Sequence, residues 1–505
     1  ACSDNEGGNE SNGNGDDGNT ETPADGDTYG YIKDTNGNPV EGVVVSDGYS
    51  CTATDAEGRY ALTRNADAGF VFYSLPSAYK VSVDKTYKLP RFFARLQAGT
   101  ARYDFTLEAL AAPEKRFDLI CIGDPQINEA SHAVRFKEEA GREIREYAAS
   151  AGVPCYGITL GDHVNNKWTL FTNMVVALQP EQTGVPVFAT IGNHDHEFPT
   201  ADEKAARAKY ESYFGPVDYS FNRGDVHVVS MDNVIHSCKA SADYEGGFTA
   251  AQYAWLKQDL SFVPKDKMVI LCVHIPFRGG WGTNSAHADA DKYYDEVLDL
   301  LSQYEYAAIM SAHTHSNINY IHRKNGKEIF EHVTGTTCGA WWRSPGCTEG
   351  TPIGFGLYRI DGNRMEEWAY RSVRHDEQFQ IRLYRASDTF VGGAKYRFKQ
   401  TGADQIVANI WNWDPSWTVN VYENDVLSGQ MTRNSDIDAW TVAYHIGLLN
   451  NTDSYRKSSD HMFHYTLKNP AAAVRVEAID RFGNKYEQTV FTDPAEHPGD
   501  FHADF

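Results

Sequence analysis

Between residue 112 and about residue 370, five apolar runs of strand length each end in residues able to bind a metal. They are "FDLICIGD" (117–124), "CYGITLGD" (155–162), "VPVFATIGNH" (185–194), "MVILCVH" (268–274) and "AAIMSAHTH" (307–315). Continuous rather than alternating apolarity marks strands covered on both faces. Amphipathic stretches lie between the first runs. Phe136, Ala140, Ile144, Ala148 and Ala151 recur at helical spacing over 132–151, and a second helix is expected near 167–179. Further strands are expected at 225–232 and 317–321. Strands alternating with helices predict βαβ units around a largely parallel sheet. The polar residues then sit at the C-terminal strand ends, where open α/β sheets bind their ligands.

The flanks read differently. Residues 1–27 hold eight acidic residues and no Lys or Arg, so this low-complexity tether supplies about a third of the net charge of −23. That balance excludes non-specific binding of a nucleic acid duplex, which requires clustered cations. No run of about 18 apolar residues marks a spanning helix. The start Ala1-Cys2-Ser3 before a polar tract resembles a bacterial lipoprotein cut at its lipobox. That resemblance predicts an acyl anchor at Cys2 as the sole membrane attachment and a periplasmic or cell-surface location in the cell envelope; a monomer is expected separately. Residues 28–111 carry short Val/Tyr/Phe runs broken by turns such as Asn36-Gly37-Asn38-Pro39. Through "NGNPVEGVVVSDG" and "TDAEGRY" they resemble the carboxypeptidase regulatory-like β-sandwich, a spacer module. Residues 371–505, with "QIVANIWNW", "WTVNVYEN" and "AVRVEAIDRFGNKY", predict a second β-sandwich. Cys121, Cys155 and Cys272 fall in apolar runs and read as buried thiols. Cys338 and Cys347, bracketing a Trp/Gly/Pro loop, are the candidate disulfide.

Five clusters of ligand residues carry the chemistry: Asp124-Pro125-Gln126, Gly161-Asp162-His163, Gly192-Asn193-His194-Asp195, His274, and His313-Thr314-His315. Were Asp124 and Gln126, or His313 and His315, extended, the period of two would turn each pair to one side. Gly161 and Gly192 suit sharp strand-to-loop turns. This order of motifs over about 200 residues resembles the calcineurin-like metallophosphoesterase family, with its D-x-H, GD, GNH(D/E), H and GHxH pattern. The resemblance implies an α/β fold, a four-layer α/β/β/α metallophosphoesterase sandwich, flanked here by N-terminal and C-terminal β-sandwich domains. It also implies a hydrolase of phosphate monoesters or diesters with two divalent metal ions (Mn, Mg, Fe or Zn) and a metal-bridging hydroxide as nucleophile. Carried over residue by residue, Asp124, Gln126, Asp162 and His315 surround the first ion. Asp162, Asn193, His274 and His313 surround the second, with Asp162 bridging. His194 faces the substrate phosphate and Asp195 orients it.

Two divalent ions about 3.5–4 Å apart suit both ends of a phosphoryl displacement. Their charge, less that of Asp124, Asp162 and one hydroxide, stays near +1, which favours an anionic ester. Two positions depart from the pattern. Gln126 replaces a His, which predicts a preference for harder ions such as Mn²⁺ or Mg²⁺, and Ser311-Ala312 replaces the Gly before His313. Arg278 and Trp341 are the candidate substrate contacts, for a phosphorylated small molecule or glycan. Trp281, Trp342 and Arg343 are further candidates for the pocket wall. Packing against the C-terminal domain accounts equally well for Trp341 and Trp342. His163 reads as a supporting or surface residue, His196 as loop polarity, and Asp232-Asn233 as structural. A surface lipoprotein that binds a glycan or phosphorylated ligand without turnover is the alternative function.

Overall fold

The computed structural model describes residues 26–278, 292–386, 404–452 and 455–489; Cys2 and Trp281 lie outside the described residues. Two sheets form the middle of the fold. The first runs in the order Val187–Thr190, Cys155–Leu160, Arg116–Ile122, Gly354–Asp361, Arg364–Ser372. Its first three strands are parallel and its last two antiparallel. The second has Val226–Ser230, Met268–Cys272, Tyr306–Ser311 and Lys327–Val333 in parallel, flanked by the antiparallel edges Tyr219–Arg223 and Ile318–Lys324.

The alternation of side chains explains the layering. Phe117, Leu119 and Cys121 join Val228, Ile270 and Ile309 in one core, between the sheets. Ile120 and Ile122 point the other way, into Phe136, Ile144, Met174 and Tyr210 of the helical layer. Trp255 and Leu256 of the helix Ala250–Ser261, with Val297 of Tyr294–Leu301, cover the second sheet. The result is the four-layer α/β/β/α sandwich. Each fully buried aliphatic or aromatic side chain contributes about 1.5–3 kcal/mol. The helix expected over 132–151 is not continuous. A π turn at Lys137–Gly141 separates Ala130–Phe136 from Arg142–Ser150. A Cβ at Gly141 would lie 3.2 Å from the Phe136 carbonyl oxygen.

Both flanking domains are pairs of β-sheets locked to the middle by buried polar contacts. The N-terminal domain pairs a three-stranded with a four-stranded sheet. The fully buried guanidinium of Arg223 donates to the carbonyls of Pro76, Ser77 and Tyr79 at 3.3, 2.8 and 2.6 Å. The C-terminal domain has two four-stranded sheets around Leu383, Ile406, Val421 and Val476. At its seam Arg382 Nη1 donates to the Gly350 carbonyl at 2.7 Å, and His461 Nε2 lies 3.2 Å from Glu349 Oε2. The expected break near 370 falls two residues inside the edge strand Arg364–Ser372.

Two histidines at this seam must stay neutral. His332 hydrogen-bonds Asn319 Oδ1 through Nδ1 at 2.8 Å and packs on Trp368; burial, aided by the Arg481 charge, pushes its pKa down to about 3. Burial likewise pushes His445 down to about 4. A depressed histidine stabilises the fold fully above its unfolded pKa of about 6.5, and this contribution is lost as pH falls through the folded value. The melting temperature is therefore expected to fall as pH drops from 6.5 toward 4. In thermal melts, His332→Gln should show a shallower acid slope than the wild type; parallel slopes would count against this origin.

Candidate metal centre

Each cluster of ligand candidates begins where a strand stops. Beyond the parallel pair Arg116–Ile122 and Cys155–Leu160, the two loops stay paired: Gln126 N donates to the Asp162 carbonyl at 2.7 Å, and Ile127 N to that of His163 at 3.1 Å. The pairs do not converge by strand period as expected. Asp124, Gln126, Asp162, His313 and His315 all have positive φ, between 35° and 65°. The loops turn at these residues instead of running on as extended strand. Left-handed non-glycine residues cost about 1–3 kcal/mol each and concentrate at functional sites.

Around His274 Nε2 lie Asn193 Oδ1 at 3.0 Å, His313 Nδ1 at 3.2 Å and Asp162 Oδ2 at 3.3 Å. One ligand atom each from Asp162, His274 and His313 falls within 4.8 Å of the others. His274 Nδ1 donates to the Leu160 carbonyl at 2.7 Å, which turns Nε2 toward the cluster, where a cation would take the place of its proton. Next to it, Asp124 Oδ1 lies 3.6 Å from His315 Nε2, while Asp124 Oδ2 accepts from His313 N at 3.1 Å. Asp124, Asp162 and His274 are almost wholly buried. Two glycines make room: a Cβ on Gly192 would lie 2.3 Å from Asp162 Oδ1, and one on Gly161 2.4 Å from His274 Nδ1.

These residues fit a pair of cations better than a cation-free core. Asp124 Oδ1 and Gln126 Oε1 are buried and accept no hydrogen bond. Burial and the Asp162 charge push the Asp124 carboxyl well above the carboxylate range. Burial acts the same way on Asp162, but the His274 and His194 charges hold it below that range. Two carboxylates in a dry cage cannot both ionise without compensating positive charge. Burial also pushes His315 down to about 4, so its imidazole is neutral, the form that binds a metal.

His194 is half-buried at the edge of the cluster, its backbone N donating to Asp162 Oδ1 at 2.8 Å. The expected partnership with Asp195 is corrected. Asp195 is wholly buried, and its carboxylate accepts from Gly192 N and His163 N and meets His163 Nδ1 at 2.9 Å. In the tight turn Asn193–Asp195, Asp195 is buried while His194 is not. Asn166 takes that place: its Oδ1 lies 2.8 Å from His194 Nδ1. His163 and His196 are wholly buried; His196 bridges the Gly192 carbonyl and Asp232, so it is not loop polarity. Asn233 Oδ1 accepts from the backbone of both His274 and Ile275, at 3.1 and 3.0 Å. Tyr244 hydroxyl lies 3.3 Å from His313 Nε2. Asn233, read as structural, braces the backbone at His274; no motif announced Asn166 or Tyr244, and only the "GDHVNN" asparagine beside a known cluster offered a signal.

Trp341 packs on His315, ring centroids 5.0 Å apart, and is half-buried. Arg278 is exposed, its guanidinium 5.8 Å from the Tyr320 ring. The expected Cys338–Cys347 disulfide is corrected: both are free, buried thiols. Cys347 instead meets Thr336 Oγ1 at 3.5 Å, and Cys338 lies 3.5 Å from the Gly339 carbonyl.

Residues 103–317 match the model of calcineurin-like phosphoesterases, 27–110 that of the N terminal of calcineurin-like phosphoesterase, and 331–486 that of its C terminal. The chain belongs to the calcineurin-like phosphoesterase family. Similar curated proteins are purple acid phosphatases 23 and 18 of Arabidopsis thaliana. The first is 26% identical over 181 residues, covering 33% of this chain and 36% of the relative. The second is 25% identical over 182, covering 34% and 38%. The chain thus spans little more than a third of the length of these relatives. Solved structures to which the chain is similar include a purple acid phosphatase from yellow lupin (Lupinus luteus) seeds. It is 15% identical, with TM-score 0.37, covering 52% of this chain and 53% of that one. A 5'-nucleotidase from Candida albicans is 13% identical, with TM-score 0.32, covering 52% of each.

In this calcineurin-like phosphoesterase Gly192 is the tighter of the two glycines at the cluster, since a Cβ there would lie 2.2 Å from Asp162 N. Gly192→Ala places a methyl against backbone N and carboxylate of Asp162, so metal affinity should fall by about 10–100-fold, the usual cost of disturbing ligand orientation. Metal analysis after dialysis against graded chelator measures it; wild-type retention would contradict the steric reading.

Proposed function

We propose that this chain hydrolyses phosphate esters with two divalent ions. Asp124, Gln126, Asp162 and His315 hold one, and Asp162, Asn193, His274 and His313 hold the other. The observation that carries this reading is the convergence of Asn193, Asp162 and His313 atoms on His274 Nε2, beside the unsatisfied Asp124 Oδ1 and Gln126 Oε1. Bound, the ions supply Lewis acidity toward the phosphoryl oxygens and acidify water.

The chain's own residues do the rest. Asp162 faces both ligand groups and so sets the spacing between them. Asn166, accepting from His194 Nδ1, leaves Nε2 directed outward, where it binds a phosphoryl oxygen or passes a proton to the departing alkoxide. Its backbone bond to Asp162 ties that imidazole to the same carboxylate that organises the ligands. Gln126 contributes an amide oxygen where an imidazole would favour softer ions, so the first site is oxygen-rich and suited to Mn²⁺ or Mg²⁺.

His194→Ala should lower kcat on p-nitrophenyl phosphate or its bis-ester by about 10²–10⁴-fold, the range of a positioned acid–base group, with metal content preserved. Asp162→Asn should lose both metal and turnover. Steady-state rates beside metal analysis separate the two, and a fully active His194→Ala enzyme would overturn the assignment. Metal analysis also tests the ion preference: a full Fe–Zn complement in protein purified without added metal would refute the harder-ion reading.

A further inference from the structure

Trp341 and Trp342 are consecutive bulky residues at φ of 51° and 66°, a conformation that neither favours. The surroundings impose it. Trp342 is buried, donates through Nε1 to the Pro125 carbonyl at 2.9 Å, and carries Arg135 over its ring at 5.1 Å. Pro125 lies between the ligand candidates Asp124 and Gln126. With Trp342 turned inward, Trp341 is turned onto His315 and stays half-buried there.

The C-terminal domain meets this ring. Tyr455 packs against Trp341 edge to face, centroids 5.6 Å apart, and the exposed Arg343 guanidinium lies 5.7 Å from the Tyr455 ring centroid. Tyr455 is itself half-buried and is fixed by its backbone. His445 Nδ1 donates to the Tyr455 carbonyl at 2.7 Å, and Nε2 of the same ring meets Ser344 Oγ at 2.5 Å. Ser344 follows Arg343 directly. One buried imidazole thus ties the segment carrying Trp341 and Arg343 to the segment carrying Tyr455.

We propose that Tyr455, with Trp341 and Arg343, forms a substrate wall shared between two domains, which selects phosphate esters whose alcohol carries a planar aromatic ring. This rests on the phosphoesterase reading above and adds the substrate class. The aromatic faces begin at His315, beside the ligand cluster, and extend away from it. A ring stacked there is attached to a phosphoryl group at the centre, and the guanidinium adds cation–π attraction to the same ring. A leaving group without a ring, such as glycerol, gains none of this.

The test uses the full chain loaded with Mn²⁺ and three esters: adenosine 5'-monophosphate, p-nitrophenyl phosphate and glycerol 2-phosphate. Stacking on an aromatic side chain predicts that Tyr455→Ala lowers the ratio of kcat/KM for the ring-bearing esters over glycerol 2-phosphate by about 5- to 100-fold, chiefly through KM. Tyr455→Phe should restore that ratio, and Trp341→Ala should repeat the loss. Equal falls on all three esters, or an unchanged ratio, would overturn the wall while leaving the hydrolase intact. A second readout needs no turnover. Calorimetric binding of adenosine 5'-monophosphate to His194→Ala should weaken when Tyr455→Ala is added. If the wild type hydrolyses no ester yet this Tyr455-dependent binding appears, the phosphoesterase reading fails and the wall stands.

Discussion

A carboxylate with almost no exposed surface must be compensated from every direction, and Asp162 is where this molecule meets that demand. Its Oδ1 accepts from His194 N, its Oδ2 faces His274 Nε2, and its backbone carbonyl accepts from Gln126 N. Those contacts come from three other strand ends, two in the first sheet and one in the second. The glycines at 161 and 192 permit the approach, since a side chain at either would occupy the space of His274 or of Asp162 itself. The packed core between the sheets makes the convergence affordable, because Leu119, Ile158, Ile270 and Ile309 fix the relative height of the strands before any ligand residue is reached.

The flanking domains act on the same centre. The C-terminal seam holds the segment 344–352 through Arg382, Asp438, Asn409 and His461. The segment just before it braces the D-P-Q loop: Thr337 N donates to the Gly123 carbonyl at 2.9 Å and Trp342 Nε1 to that of Pro125. A displacement of the C-terminal domain therefore reaches Asp124 and Gln126 through hydrogen bonds already formed. The N-terminal domain is anchored to the edge strand Tyr219–Arg223 and to Trp255, whose Nε1 donates to Ser46 Oγ at 3.0 Å. It buttresses the second sheet from the side away from the C-terminal seam.

The layered core was legible in the sequence because continuous apolar runs ending in Asp, Asn or His have few other uses in a folded chain. Asp124, Asp162, Asn193, His274, His313 and His315 could be placed at strand ends for the same reason. Their backbone conformation was not legible, since a left-handed Asp or His differs from an extended one by a dihedral angle that residue identity does not set. The partner Asn166 was hidden for a related reason: a single amide becomes a positioning group only through the loop that carries it. Asp195 misled because adjacency to His194 suggested contact, whereas its carboxylate meets His163 and the His194 ring meets Asn166. Cys338 and Cys347 were close in sequence, yet each found a polar neighbour of its own.

The five left-handed ligand candidates carry a cost of about 5–15 kcal/mol at 1–3 each, as much as the net stability of an ordinary domain. No single hydrogen bond at the site offsets that, at about 1 kcal/mol net. Two sources remain. One is the core, which fixes the strand ends whether or not the site is filled. The other is the cations, which bind the folded state alone and stabilise it in proportion to the logarithm of their concentration over Kd. The unsatisfied Asp124 Oδ1 and Gln126 Oε1 divide these contributions: the core positions them, yet among the described residues nothing in hydrogen-bonding reach rewards their burial. The strain at the strand ends and the affinity for positive charge are therefore one property of the site, since the turns that cost stability are those that aim the lone pairs inward.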